Sequence, residues 1–166
     1  AEQLERELPG LGSFCPLSPV PGLAAWRLGE PDFHALPNLR RHSATDFDEA
    51  RQHLRQACGG ELSALQRAAT HDKLDKESVA ALLTLCSAYL LHLSPTPAGD
   101  PVARFHLDNG ARLERLNAHG NMSAKGLKQS FGIMVNYLYD LDKIEASHEK
   151  FKQGEVARSR AVHTVM

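Results

Sequence analysis

The sequence has no long apolar run, no paired cysteines and no excess of one sign of charge, and each absence removes a class of function. No stretch supplies the roughly 20 consecutive apolar residues of a membrane-spanning helix. Lys plus Arg (19) nearly cancels Asp plus Glu (20), so no net basic field argues for a nucleic-acid partner. The three cysteines, Cys15, Cys58 and Cys86, form no CxxC spacing, which is neither a disulfide framework nor a zinc site and suits a reducing compartment. The nine histidines include no HExxH or HxxxH pair, so no metal is expected and most of them read as solvated surface residues. No secretory signal is visible, and Val162-His163-Thr164-Val165-Met166 carries no peroxisomal tripeptide. The expected location is the cytoplasm, or an organelle matrix in a eukaryote.

What remains is an ordinary globular balance: 42% apolar and 23% charged residues in 166, enough for one domain with a real core. The start reads like the middle of a helix, with Glu2, Gln3, Glu5, Arg6 and Glu7 around Leu4 and Leu8, stopped by Pro9-Gly10. With Ala1 in place of a methionine, this reading expects a further part upstream.

Ser13-Phe14-Cys15 is a short strand candidate, running into Pro16-Leu17-Ser18-Pro19-Val20-Pro21-Gly22, where three prolines exclude a helix interior and predict a stiff loop. A short amphipathic piece over 23–28 and a polar connection through Arg40-Arg41 follow. Residues 45–93 read as helical. Thr45-Asp46-Phe47-Asp48 has capping-box spacing, and Phe47, Ala50, Leu54, Ala57 and Cys58 share a face until Gly59-Gly60. Leu62, Leu65 and Ala69 make a second face. Val79, Leu82, Leu83, Cys86, Leu90 and Leu93 make a third, with Asp75 as cap and Pro95 and Pro97 beyond its end. These faces read as packing surfaces. Asp100-Pro101 supplies preferred N-cap and N1 residues, and Asn109-Gly110 a C-cap, for a helix over 101–109; a hairpin turning at Asn109-Gly110 is the alternative. Residues 111–117 and 131–139 suit strands, the latter with Ile133, Val135, Tyr137 and Tyr139 on one side and Met134, Asn136 and Leu138 on the other. A closing helix is predicted over 141–153.

Three places combine reactive groups with stiff backbone. Ser18 sits between prolines after a strand, in a context that is not GxSxG and where a turn serine bonding its own backbone is the bland reading. His106 lies in Phe105-His106-Leu107-Asp108-Asn109-Gly110, where a core histidine is the bland reading. Asn136-Tyr137-Leu138-Tyr139 lies on the last strand, where tyrosine is commonplace. Spacing alone does not join the three.

The wording of these segments resembles the malonyl-CoA decarboxylase family. The matching stretches are Leu17-Ser18-Pro19-Val20-Pro21-Gly22, Asp100-Pro101-Val102-Ala103-Arg104-Phe105-His106-Leu107-Asp108-Asn109-Gly110-Ala111 and Gly132-Ile133-Met134-Val135-Asn136-Tyr137-Leu138-Tyr139. Leu113-Glu114-Arg115-Leu116-Asn117 and Ser123-Ala124-Lys125-Gly126 match more loosely. The resemblance implies an α+β fold, the second half of a GCN5-related acyltransferase-like mixed sheet with helices packed on it and a helical insertion at about 45–93. The whole of 1–166 would then be the C-terminal part of the catalytic domain, with the N-terminal helical domain and the CoA pyrophosphate loop absent.

By the same resemblance, Ser18 and His106 match the family's catalytic serine and histidine, Tyr139 its active-site tyrosine, and Asn136 stands beside them as a substrate contact. The implied reaction converts malonyl-CoA to acetyl-CoA and carbon dioxide without a cofactor. Ser18 and His106 are expected to bind the departing carboxylate, His106 to protonate the enolate, and Tyr139 to orient the malonyl group. Arg40, Arg41, Lys125 and Lys128 are basic residues that CoA phosphates could meet. The implied partners are malonyl-CoA and further copies of the chain, associating through the helical regions. These 166 residues alone are expected to bind CoA weakly, to decarboxylate negligibly and to associate. An acyl-CoA-dependent acyltransferase and a non-catalytic helical interaction module are the competing readings.

Overall fold

A computed structural model describes residues 12–28, 35, 41–59, 62–70 and 74–165. The opening helix read from residues 2–8 lies outside them, as does Arg40. The described elements are β1 (Ser13–Phe14), β2 (Leu17–Pro19), α1 (Leu23–Leu28), α2 (Arg41–Cys58), α3 (Leu62–Thr70), α4 (Lys76–Ala88) continued by a π-helical turn (Tyr89–Leu93), α5 (Pro101–Asp108), β3 (Arg112–Asn117), α6 (Ala124–Ser130), β4 (Met134–Asp140), α7 (Ile144–Lys152) and α8 (Arg160–Val165). The α+β class is as expected.

β4 is the strand on which the sheet is built. β1, β2 and β3 all pair with it antiparallel. Ser13 opposes Asp140, Phe14 opposes Tyr139, and Leu17, Ser18 and Pro19 oppose Asn136, Val135 and Met134 in the same unbroken register. Residues 13–19 thus run as one line along β4, interrupted only around Cys15 and Pro16, with Tyr137 N donating to Pro16 O at 3.1 Å. This corrects the stiff loop expected from Pro16 onward: Ser18 is inside a paired strand. Pro19, opposite Met134, turns its missing N–H away from β4 and costs no ladder bond, whereas Pro16 lacks the return bond to Tyr137 O, at the point where the line is interrupted. On the other side, β3 pairs with β4 across a register shift between Leu113 and Arg115. Leu113 then meets the C-terminal segment, receiving Ser159 N and donating to Ala157 O. The bridge from Leu113 to Arg158 is parallel, the one parallel element among the described strand pairings, where a mixed sheet was expected.

The alternation read from 133–139 holds: Ile133, Val135, Tyr137 and Tyr139 are buried and the residues between them are half-buried. α2 packs on α4. It begins at Arg41, so Thr45 is inside the helix and its capping-box reading is corrected. The expected face holds except for Ala57, which is exposed: Phe47 and Leu54 are buried, Ala50 and Cys58 are half-buried against the core, and the line extends back to Ala44. α4 carries the expected Asp75 cap, bonded to Ser78 N at 2.8 Å. Its burial extends beyond one face, to Ala81, Leu85, Ala88 and Tyr89.

α5 is a helix and not a hairpin arm. Asp100 accepts from Val102 N and Ala103 N, Pro101 occupies the first turn, and Gly110 leaves the helix at φ +91°. Ala103 and Leu107, one turn apart, bury its inner face. Two helices were not expected. α6 is short and contains glycine; its Ser123 cap is bonded to Gly126 N, and it ends on Phe131 at φ 56°. α8 follows Ser159, whose Oγ accepts from Val162 N at 3.3 Å.

Gly110 and Gly59 both adopt positive φ, but only Gly110 is crowded: a Cβ there would lie 2.6 Å from Ile144 O, whereas Gly59 has open space. Alanine at Gly59 should cost about 1–2 kcal/mol from the left-handed backbone alone. Alanine at Gly110 should cost more than Gly59→Ala in denaturant unfolding of the two variants.

Candidate active site

The burial of alternate residues on β4 sets one face of the sheet against α5. Ser18, directly opposite Val135, shares that face, because paired residues project to the same side. His106 stands one helical turn beyond Ala103 and beside Leu107, at the border of the buried stripe of α5. Its ring reaches the sheet, where it lies over Tyr137 with centroids 4.4 Å apart and planes 23° from parallel.

Both ring nitrogens are engaged. His106 Nε2 is 3.0 Å from Ser18 Oγ, and His106 Nδ1 is 2.6 Å from Tyr139 Oη. The sequence thus brings Ser18, His106 and Tyr139 together from residues 88 and 33 positions apart. Either tautomer satisfies the chain. If Tyr139 O–H donates to Nδ1, the ring proton sits on Nε2 and is donated to Ser18 Oγ; if the ring proton sits on Nδ1, Ser18 O–H donates to Nε2. Tyr139 is held in turn by Phe14, whose ring stacks on it at 4.5 Å and 3°.

Asn136 does not join this group. It alternates with Val135 and Tyr137, so it projects to the opposite face of the sheet, where its Oδ1 accepts from Asn117 Nδ2 at 2.9 Å. Lys125 and Lys128 are exposed on α6, and the side chain of Arg41 lies outside the described residues. Tyr137 is the contact that sequence reasoning did not assign. Its place two residues before Tyr139, on the same strand face, was the available signal.

Burial sets the protonation states. Ser18 is 6% exposed and Tyr139 3%. Desolvation pushes the Tyr139 hydroxyl up to about 12, so it is a neutral donor or acceptor at physiological pH. Desolvation also lowers His106 from the usual imidazole range, so the ring is neutral there. Tyr137, deeper still, is pushed well above the ordinary phenol range by burial and by the neighbouring Asp100. The result is a half-buried, neutral imidazole between two hydroxyls, able to present hydrogen bonds to an anion and to pass a proton.

Among the described residues, one donor set has ligand atoms close enough for a metal: His53, Asp75 and Glu77, all within 4.8 Å of one another. None belongs to the elements that carry Ser18, His106 and Tyr139. Asp75 is already the cap of α4, and Asp75 and Glu77 are exposed.

The His106 shift has a consequence for stability. The unfolded chain takes up this proton near pH 6.5 and the folded chain only at lower pH. Between those values the unfolded state binds more protons, so stability rises with pH through that window and the contribution is complete above about 6.5. Unfolding at pH 5.5 and 7.5 should therefore show a larger gain for the parent than for His106→Gln; equal gains would place His106 in water.

Residues 1–166 match the family described as the malonyl-CoA decarboxylase C-terminal domain. The mitochondrial malonyl-CoA decarboxylase of Rattus norvegicus is 35% identical over 149 residues, which are 86% of this chain and 30% of that protein. The mitochondrial enzyme of Anser anser anser is 33% identical over 85% of this chain and 29% of its own length. The chain thus spans about a third of the length of these curated relatives. The crystal structure of malonyl-CoA decarboxylase from Cupriavidus metallidurans superposes with a TM-score of 0.72 at 36% identity, over 99% of this chain and 41% of that one. That from Rhodopseudomonas palustris gives 0.68 at 40% identity, over 99% and 35%. The chain belongs to the malonyl-CoA decarboxylase family.

Proposed function

We propose that this site decarboxylates malonyl-CoA to acetyl-CoA and carbon dioxide. The observation that carries the reading is the bond between Ser18 Oγ and His106 Nε2 at a half-buried position, in a chain of this family. A malonyl thioester contains its own electron sink: breaking the bond to the carboxylate leaves an electron pair that delocalises into the thioester carbonyl as an enolate. The protein has to hold the carboxylate, favour the enolate and return a proton to carbon. In this proposal Ser18 and His106 receive the carboxylate, and poor solvation there favours its loss as neutral carbon dioxide. His106 then gives the Nε2 proton to the carbon, directly or through water, and regains one from solvent. The reaction so written draws on no metal and no cofactor.

The structure supports a changed part for Tyr139. Its hydroxyl is committed to His106 Nδ1, so it acts through the imidazole, fixing the ring and favouring the tautomer with its proton on Nε2, and does not orient the malonyl group itself. The proposal extends to self-association and to a cytoplasmic or organelle-matrix location. Among the described residues no large apolar side chain of α2 to α4 is exposed, so contacts between copies through those helices would be polar. No described helix is long and apolar enough to cross a membrane.

In the intact protein, His106→Ala should lose at least about 100-fold in carbon dioxide release from malonyl-CoA, the lower end for a general acid. Ser18→Ala should lose comparably while keeping most of its affinity for a nonreactive CoA thioester in calorimetry. Near-parental turnover by either variant would remove the pair from the chemistry. Tyr139→Phe removes one hydrogen bond to a group that remains, and a loss of about 2- to 10-fold is expected in the same assay. Release of free CoA that requires an acceptor amine, with no carbon dioxide, would favour acyl transfer instead.

A further inference from the structure

Behind the Ser18–His106 pair lies a buried carboxylate with more partners than a helix cap needs. Asp100 is 0% exposed. Its Oδ2 accepts from Val102 N and Ala103 N at 3.1 and 3.2 Å, which caps α5. Its Oδ1 accepts from Gly22 N at 2.8 Å, across 78 positions of sequence. The Tyr89 hydroxyl, from the π-helical turn, donates to the same carboxylate, and the Tyr89 ring is itself stacked on Trp26 of α1 at 5.0 Å. Desolvation raises the Asp100 carboxyl above its usual range, and these four donors oppose that rise.

An N-cap is satisfied by one side-chain oxygen. The second oxygen serves a different segment, the turn that immediately follows β2. Gly22 fits the arrangement because a Cβ there would collide with the Tyr89 hydroxyl and approach Asp100 Oδ1 to 3.1 Å. Ser18 and Gly22 flank Pro19-Val20-Pro21, a segment with little freedom to bend independently. His106 is carried by the helix that Asp100 starts. One carboxylate therefore joins the two pieces of chain that supply the serine and the histidine.

We propose that Asp100 is a positioning residue of the site: it ties the turn after the Ser18 strand to the first turn of the His106 helix, and so holds Ser18 Oγ within hydrogen-bond reach of His106 Nε2. As a statement about rate this rests on the proposed decarboxylation; as a statement about geometry it does not. Asp100→Ser separates clamp from cap, because serine is itself a good N-cap but leaves the Gly22 N–H and the Tyr89 hydroxyl without the carboxylate.

The test uses the intact protein. In the crystal structure of Asp100→Ser, the distance from Ser18 Oγ to His106 Nε2 should exceed about 3.5 Å, beyond hydrogen-bond reach. The kcat for malonyl-CoA should fall on the order of 100-fold, as for displacement of a catalytic group by about 1 Å, with KM changed less than about threefold. In a Ser18→Ala background the same substitution should cost less than about threefold more, because the pair it positions is already broken. An unchanged distance overturns the proposal whatever the activity. An equal fold-loss in both backgrounds also overturns it and leaves Asp100 a purely structural cap. A parent protein that releases no carbon dioxide would end the decarboxylase reading, while the measured distance would still decide the role of Asp100. If Asp100→Ser does not fold, Tyr89→Phe decides instead: it keeps the Trp26 stack, removes one donor, and should lower kcat by about 2- to 10-fold, non-additively with Ser18→Ala. Parental kcat in Tyr89→Phe would then overturn the proposal.

Discussion

The two-residue period of β4 is the constraint on which the rest of this structure depends. One strand pairs with β1, β2 and β3, and its pleat sends Val135, Tyr137 and Tyr139 to the side facing α5 while Asn136 goes to the other. The continuous register from Phe14–Tyr139 to Ser18–Val135 then fixes which side Ser18 faces. A one-residue slip of that pairing would put Ser18 and the two tyrosines on opposite faces of the sheet. The floor under the imidazole, the partner of its Nδ1 and the place of its serine partner all follow from one strand pairing.

The site so formed is one of hydrogen bonds between neutral groups. Burial lowers the affinity of His106 for a second proton and raises that of Tyr139 for its own, so the chain from Ser18 to Tyr139 carries a single mobile imidazole proton at neutral pH. An arriving carboxylate would meet hydroxyl and N–H donors, and among the described residues burial alone, with no neighbouring charge, shifts His106. That is an environment in which losing the charge as carbon dioxide is favoured over keeping it. The exposed Phe105 beside His106 shows that the pair lies near the surface of α5 and is not sealed in the core.

How far the sequence reveals this arrangement depends on the range of the signals. The strand face of Ile133 to Tyr139, the Asp75 and Asp100 caps and the glycine exit at Gly110 are local, and each was readable because propensity, period and cap chemistry agree. The start of α2 was misplaced because Thr45 and Asp48 imitate a capping box inside a longer helix. α6 was missed because a glycine stands in its middle and its end depends on Phe131 in a left-handed conformation that phenylalanine does not advertise. The convergence of Ser18, His106 and Tyr139 was not legible from spacing at all; only the family resemblance joined them. Asn136 was grouped with them by adjacency in sequence, which on a strand means the opposite face. The second partner of Asp100 was hidden for the same reason, since Gly22 N is reached only after the chain has folded.

The central claim is that the Ser18–His106 pair is where the malonyl carboxylate binds. The most direct measurement is the crystal structure of the intact protein with a nondecarboxylating malonyl thioester analogue. The carboxylate should lie within about 3.2 Å of both Ser18 Oγ and His106 Nε2, with His106 still bonded to Tyr139. An analogue whose carboxylate is held by other groups, with the Ser18–His106 bond undisturbed, would contradict the account.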